Sequence, residues 1–387
     1  MQSFIFQNPT KILFGDGMVD RLPEELKAFG PKVLLTCGCG SIHRSGLYDR
    51  VMKLLHDADK EVFEVSGIMP NPRTEKVYEG IEICRREKID LILAVGGGSV
   101  IDGSKAMAAG TYHDGDFWQD LYVDGQSIDR AVPLGVILTM PATGSEMNGS
   151  SVVSHWANNQ KIGYWSQLLH PHFSILEPSL TMTMPREQVV YGAADMMSHI
   201  MEQYFSPPED NNISDAFAEA LFCNIRQNLD HALEDLNDYD ARSNLMWDAT
   251  MALNGLISLG KEEDWQSHSI EHALSAWYDI PHGAGLAIVH PNLLYYMRKE
   301  AHPKLVRFAT NVWGINPLGM SEEMRAMAAV TCLKNYLKDI GAPTTLTEVG
   351  IPAEAIDDLA ATAETAQKAG YKTLTRDDIA EILRLSL

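Results

Sequence analysis

The apolar residues of this chain change rhythm near residue 185. Before it, short runs rich in branched side chains recur: KVLLT (Lys32–Thr36), EVFEV (Glu61–Val65), DLILAV (Asp90–Val95), GVILT (Gly135–Thr139) and FSILE (Phe173–Glu177). Runs of this length predict buried strands. Apolar residues at helical spacing lie between the earlier runs, over His43–His56 and Arg73–Glu87. Strands alternating with helices predict a parallel sheet covered on both faces. From MPREQ (Met184–Gln188) onward strand patterns vanish. Amphipathic helices follow, broken at Pro207-Pro208, Asn237-Asp238, Gly260, Pro281, Pro303 and Gly341. The expected organisation is therefore an α/β N-terminal domain over residues 1–184 and an all-α C-terminal domain over 185–387. No repeat of ~20–50 residues interrupts it.

Bulk properties narrow the classes. At 387 residues, with 45% hydrophobic and 21% charged residues, the chain has the composition of a soluble globular enzyme. A net charge of −21 argues against nucleic acid and against anionic membrane surfaces as partners. It also repels an anionic cofactor, so any phosphate site must supply its own donors. The start, MQSFIFQNPTKILFG, lacks a basic segment followed by an apolar stretch, and no apolar run is long enough for a membrane span. The five cysteines are mostly scattered, which points to reduced thiols and a cytoplasmic protein.

Four residues of the second half are candidates for a divalent-metal site. Asp195 and His199 stand four apart in GAADMMSHIMEQY (Gly192–Tyr204), which reads as helix, so both project to one face. His268 lies in DWQSHSIEH (Asp264–His272) and His282 in IPHGAGLAIVHP (Ile280–Pro291). Three imidazoles and one carboxylate suit Fe2+ or Zn2+ better than calcium or magnesium. The same pattern also reads as packed core histidines, with His282 a turn residue; spacing alone leaves both readings open.

The first half carries candidate phosphate sites. After the strand ending at Val95 comes Gly96-Gly97-Gly98-Ser99-Val100-Ile101-Asp102, leading into a helix. Bare amides at a helix N-terminus attract anions. Ile101 occupies the third glycine of the dinucleotide fingerprint and no Gly-Lys-Ser/Thr follows, so neither standard phosphate motif is present. A second loop, TMPATGSEMNGSS (Thr139–Ser151), offers the hydroxyls of Thr139, Thr143 and Ser145. The turn Cys37–Arg44 carries no acid, and Ser41, His43 and Arg44 suit a 2′-phosphate, which favours NADP(H) over NAD(H). Either glycine-rich segment also reads as an ordinary loop.

Taken together, GGGSVIDGSK (Gly96–Lys105), TMPATGSE (Thr139–Glu146), LEPSLTMTMP (Leu176–Pro185), GAADMMSHIMEQY, DWQSHSIEHAL (Asp264–Leu274) and IPHGAGLAIVHP resemble the iron-containing (group III) alcohol dehydrogenase family over essentially the whole chain. The likeness is to its NADPH-dependent butanol dehydrogenase and broad aldehyde reductase branch. The resemblance implies that residues 1–184 bind the dinucleotide and that Asp195, His199, His268 and His282 hold one divalent metal per subunit. It places Gly97, Gly98 and Ser99 on the pyrophosphate, Asp102 near the nicotinamide as a catalytic group, and Thr139 and Thr143 along the cofactor cleft. Lys161 matches a lysine on the nicotinamide side. NAD-preferring members often carry aspartate where this chain has Gly38, so Gly38, Gly40 and Ser41 form the ribose turn. His272 matches a non-ligand histidine near the catalytic centre, the candidate proton relay. A homodimer is implied, with Ser3–Phe6 pairing across subunits.

The activity implied is hydride transfer between NADPH and a small aliphatic aldehyde or primary alcohol such as butanal or butanol. A different class sharing this architecture is the metal-dependent lyases and cyclising synthases of phosphorylated sugars. Those need basic residues around the substrate, and only Arg226, Arg242 and Lys261 lie between Asp195 and His282.

Overall fold

A computed structural model describes residues 1–208, 212–366 and 370–387. The chain separates into two compact units, one of Gln7–Met184 and one of Pro185–Leu387 joined by Met1–Phe6.

In the first unit the elements run β1 (Lys11–Phe14), α1 (Leu22–Glu25), β2 (Lys32–Gly38), α2 (Ser41–Arg44), α3 (Leu47–Asp57), β3 (Glu61–Ile68), α4 (Thr74–Glu87), β4 (Leu91–Gly97), α5 (Gly98–Thr111), β5 (Leu134–Met140), β6 (Ser150–His155), β7 (Gln160–Trp165) and β8 (Phe173–Leu176). Six strands form one parallel sheet in the order β1-β8-β5-β4-β2-β3. Val33, Leu35, Leu91, Leu93 and Val95 pack with Leu47, Val51 and Leu55 of α3 on one face. The intervening side chains point the other way, and there Thr36 Oγ1 meets Ser104 Oγ of α5 at 2.6 Å. That alternation explains why the central strands carry apolar residues without a polar stripe: both faces are covered. All five strands expected from the sequence are present. Two features were not foreseen. β1 pairs only with β8 at the sheet edge, and β6 and β7 form a separate antiparallel hairpin.

The second unit contains no strand among its described residues. Its helices are α6 (Arg186–Tyr204), α7 (Ile213–Glu234), α8 (Tyr239–Ala252), α9 (Gln266–Tyr278), α10 (His282–Tyr296), α11 (His302–Asn311), α12 (Glu322–Asp339), α13 (Ile356–Glu364) and α14 (Arg376–Leu385). Pro303, expected to break a helix, instead opens one in the first turn of α11, where a missing N–H costs nothing. Ile270, Leu274, Ile288, Val289, Leu359 and Leu383 form its apolar core. Residues 1–6 belong here rather than with the α/β unit, because Gln2 N–H donates to Gly260 O at 3.1 Å and its side chain to Glu262 at 2.6 Å. Ser3–Phe6 forms no strand in the single chain, and Ile5 is 97% exposed. The five cysteines are unbridged. Among the described residues, no helix is long and apolar enough to cross a membrane.

Candidate metal centre and cofactor edge

α6 begins after Pro185 and runs without interruption to Tyr204. Its period sets Asp195, His199 and Glu202 on one buried face, at i, i+4 and i+7. α9 contributes His268, and His282 is the first residue of α10, directly after Pro281. Donor atoms of Asp195, His268 and His282 all lie within 4.8 Å of one another. His199 stands beside this trio: its Nε2 is 3.4 Å from Asp195 Oδ1, and its ring stacks on His268 at 4.9 Å.

The electrostatics fit a cation. Asp195 Oδ1, His199 Nδ1 and His268 Nε2 are buried without a hydrogen-bond partner. A buried polar atom left unpaired costs about 1–3 kcal/mol, so Asp195 Oδ1 and His268 Nε2, together in one cluster, need a ligand to satisfy them, while His199 turns Nε2 toward Asp195 and leaves Nδ1 behind the ring. Burial, reinforced by the neighbouring imidazoles, holds His268 well below the usual histidine range, and burial also lowers His199. Both rings are thus neutral and present lone pairs, as metal ligation requires. An N/O donor set of this kind suits Fe2+ or Zn2+.

Two residues at the site escaped the sequence reading. Glu202 Oε1 accepts from His268 Nδ1 and from the His268 backbone N–H, each at 2.9 Å. Glu271 accepts from His282 Nδ1 through one oxygen and from Ser275 Oγ through the other. The signal was available: Glu202 falls three residues after His199, and Glu271 three after His268. His272 is half-buried and faces the cluster, its ring centroid 5.6 Å from His282 and 6.4 Å from His268.

In the α/β unit, the parallel sheet aligns the C-terminal ends of β2, β4 and β5, so the segments that follow them gather along one edge. Gly38 ends β2; Gly40, at φ 108°, turns the chain into α2, which Ser41 opens. Gly97 ends β4, and Gly98 and Ser99 open α5. Thr139 lies at the end of β5, with Thr143 in the loop beyond. A Cβ on Gly98 would stand 2.5 Å from Thr143 Oγ1, so glycine there lets the two loops close on each other. Lys161 is on β7, in the hairpin and not on this edge.

Asp102, expected near the nicotinamide, is bound into the surrounding loops. Its Oδ1 accepts from Ser145 Oγ at 2.6 Å and its Oδ2 from Val152 N–H at 2.9 Å, so the carboxylate ties α5 to the Ser145 loop and to β6. Lys105, one turn on and fully buried, donates to Ser145 Oγ, Asn148 O, Asn148 Oδ1 and Ser150 O within 3.1 Å. Burial pushes Lys105 down to about 8. Together they hold the Thr143–Ser150 loop in place.

A parallel α/β unit with glycine-rich segments along one sheet edge, joined in sequence to a helical unit with a buried Asp/His cluster, points to one family. Residues 9–178 match the model of the iron-containing alcohol dehydrogenases, and residues 189–387 that of the C-terminal domain of the Fe-containing alcohol dehydrogenase family. The chain belongs to the iron-containing alcohol dehydrogenase family, whose members use a nicotinamide cofactor and a divalent metal. It is 43% identical over all of both chains to the probable NADH-dependent butanol dehydrogenase 1 of Bacillus subtilis. It is 38% identical to the NADPH-dependent aldehyde reductase YqhD of Escherichia coli, covering 92% of this chain and 91% of the relative. The crystal structure of NADH-dependent butanol dehydrogenase A from Thermotoga maritima superposes with a TM-score of 0.95 at 41% identity, covering 100% of this chain and 99% of that one.

Proposed function

We propose that the chain is an NADP(H)-linked, metal-dependent alcohol dehydrogenase that acts chiefly as a reductase of small uncharged aldehydes. The observation that carries this reading is the convergence of Asp195, His268 and His282 donors within 4.8 Å, with Asp195 Oδ1 and His268 Nε2 otherwise unsatisfied. Asp195, His199, His268 and His282 would hold Fe2+ or Zn2+. Once bound, the ion would polarise the substrate oxygen, and the nicotinamide would donate or accept the hydride.

The chain's own groups do the rest. The Asp195 carboxylate leaves the site one positive charge short of a bare divalent ion, which still favours an oxygen gaining negative charge. The His272 imidazole, beside the His268 and His282 rings, is placed to give a proton in reduction and take one in oxidation. The amides of Gly97, Gly98 and Ser99 offer an anion site in a chain of net charge −21, with Thr139 and Thr143 along the same cleft and Lys161 of the hairpin as a contact on the nicotinamide side. Asp102 positions rather than reacts.

Substrate charge follows from the basic residues between Asp195 and His282. Arg226 donates to Val312 O and packs on Trp313, and Lys261 is tied to Asp215; Arg242 is buried. The ion pair and the carbonyl contact occupy the first two, which disfavours a phosphorylated substrate and with it the lyase reading. Relatives named butanol dehydrogenases agree with an aliphatic chain. Their names divide on the cofactor, NADH for the butanol dehydrogenases and NADPH for YqhD. The acid-free turn Gly38–Ser41 favours NADPH; those names favour NADH.

Absorbance at 340 nm tests the reading. Efficiency with NADPH should rise from two-carbon to four-carbon aldehydes, about 0.8 kcal/mol per buried methylene. Glyceraldehyde 3-phosphate should react poorly. His268→Ala or chelation should abolish turnover together with bound metal. Full activity without metal, or preference for the phosphorylated aldehyde, overturns the assignment.

A further inference from the structure

The Asp/His cluster is backed by two buried carboxylates whose arrangement is unequal among the three histidines. His268 and His282 each direct Nδ1 at a glutamate, Glu202 and Glu271, while His199 Nδ1 is buried without a partner. We propose that Glu202 and Glu271 are positioning residues of the metal centre, each accepting from a histidine Nδ1–H so that the ring keeps its Nε2 lone pair aimed at the ion. This rests on the metal reading above and deepens it.

Three observations carry the inference. Glu202 grips His268 twice: the backbone N–H holds the carboxylate in place, and the Nδ1 contact then fixes the tautomer and the ring's orientation. The unsatisfied atom of that ring is Nε2, on the side of the cluster. Glu271 is 0% exposed, is braced by Ser275, and its space is set by a neighbouring helix: a Cβ on Gly285 would stand 2.7 Å from Glu271 Cγ and 3.0 Å from Oε1. α10 can therefore approach α9 only because position 285 has no side chain. A carboxylate or carbonyl behind a ligating histidine orients the ring, and its loss typically costs 10–100-fold in metal affinity. His199 has no such brace, so its contribution to affinity should be the smallest of the three.

The test reads metal binding, independent of turnover. Co2+ affinity is measured by competition with a chromophoric chelator, and the visible d–d spectrum of the Co2+ protein reports ligand geometry. Glu202→Met and Glu271→Met should each weaken binding 10–100-fold and alter the spectrum. Glu202→Gln and Glu271→Gln should recover most of the affinity, because an amide oxygen still accepts from Nδ1–H, and at residue 271 the Ser275 hydroxyl can accept from the amide N–H. Gly285→Ala, which touches no ligand and no charge, should reproduce the Glu271→Met loss by displacing that side chain; it keeps the question answerable if a methionine variant does not fold. Wild-type affinity and spectrum in Glu271→Met and Gly285→Ala overturn the proposal, as do equal losses in the glutamine and methionine variants. His268→Ala separates the two levels: if it too keeps wild-type affinity, the metal reading itself fails, whereas loss there alone leaves that reading standing.

Discussion

Single residues carry two consequences that can be measured directly. Asp248 of α8 is buried, and both its oxygens accept from Asn224 Nδ2, at 2.9 and 3.0 Å. Burial pushes its carboxyl up to about 7, with the Asn224 amide pulling weakly the other way. The folded chain therefore holds this proton more tightly than the unfolded chain, whose carboxyl has the ordinary value of 3.8. Stability from this group is full below that value, falls as pH rises toward about 7, and levels off above. Asp248→Asn should thus raise the unfolding midpoint at pH 8.5 and do so less at pH 5, with an upper bound of about 4 kcal/mol. Denaturant titrations at the two pH values check it. At Gly38, a Cβ would lie 3.4 Å from Ile68 O and 3.7 Å from Val100 Cγ2, ordinary contact distances, so aspartate is accommodated. Gly38→Asp should shift the kcat/KM ratio toward NADH by repelling a 2′-phosphate; an unchanged ratio would place the ribose turn elsewhere.

Elements matter where a helix and the loop beside it must share space. α5 opens on Gly98, and Thr143 occupies the volume a side chain would fill, with Thr143 Oγ1 accepting from Ser145 N–H at 3.2 Å. The loop is then anchored by Asp102 and Lys105. Gly98→Ala should push Thr143 outward and raise the dissociation constant for NADPH roughly tenfold or more, equivalent to ~1.4 kcal/mol. Metal content should stay at the wild-type level, because every metal candidate lies on α6, α9 and α10. Fluorescence titration of NADPH together with elemental analysis separates the two effects.

At the scale of the molecule, the metal candidates fall in one compact unit and the cofactor candidates in the other. A ligand that binds only the folded state stabilises the unit that holds it, by about 4 kcal/mol at a thousand times its dissociation constant. Calorimetry should show chelation lowering the transition of the helical unit, and NADPH raising that of the α/β unit. A shift of the α/β unit alone on chelation would contradict the placement of the ion.

What the sequence determined by itself was whatever depends on near neighbours. Five strands of the parallel sheet, the helical character of everything after Pro185 and the i, i+4 placement of Asp195 and His199 follow from local periodicity, which the backbone imposes wherever it is formed. Pairing and packing decided the rest. Lys11–Phe14 is too short to signal a strand and becomes one by bonding to β8. Ser150–His155 and Gln160–Trp165 are polar enough to read as loop, and antiparallel pairing around Asn159, at φ 51°, makes them a hairpin. The resemblance put Asp102 near the nicotinamide, and its oxygens accept from Ser145 and Val152, residues more than forty positions away, contacts that spacing could not show. Spacing puts Glu202 and Glu271 one helical turn beyond His199 and His268, but which histidine each one backs was decided only when α6, α9 and α10 packed together, since the partner is 66 residues away for Glu202 and on a different helix for Glu271.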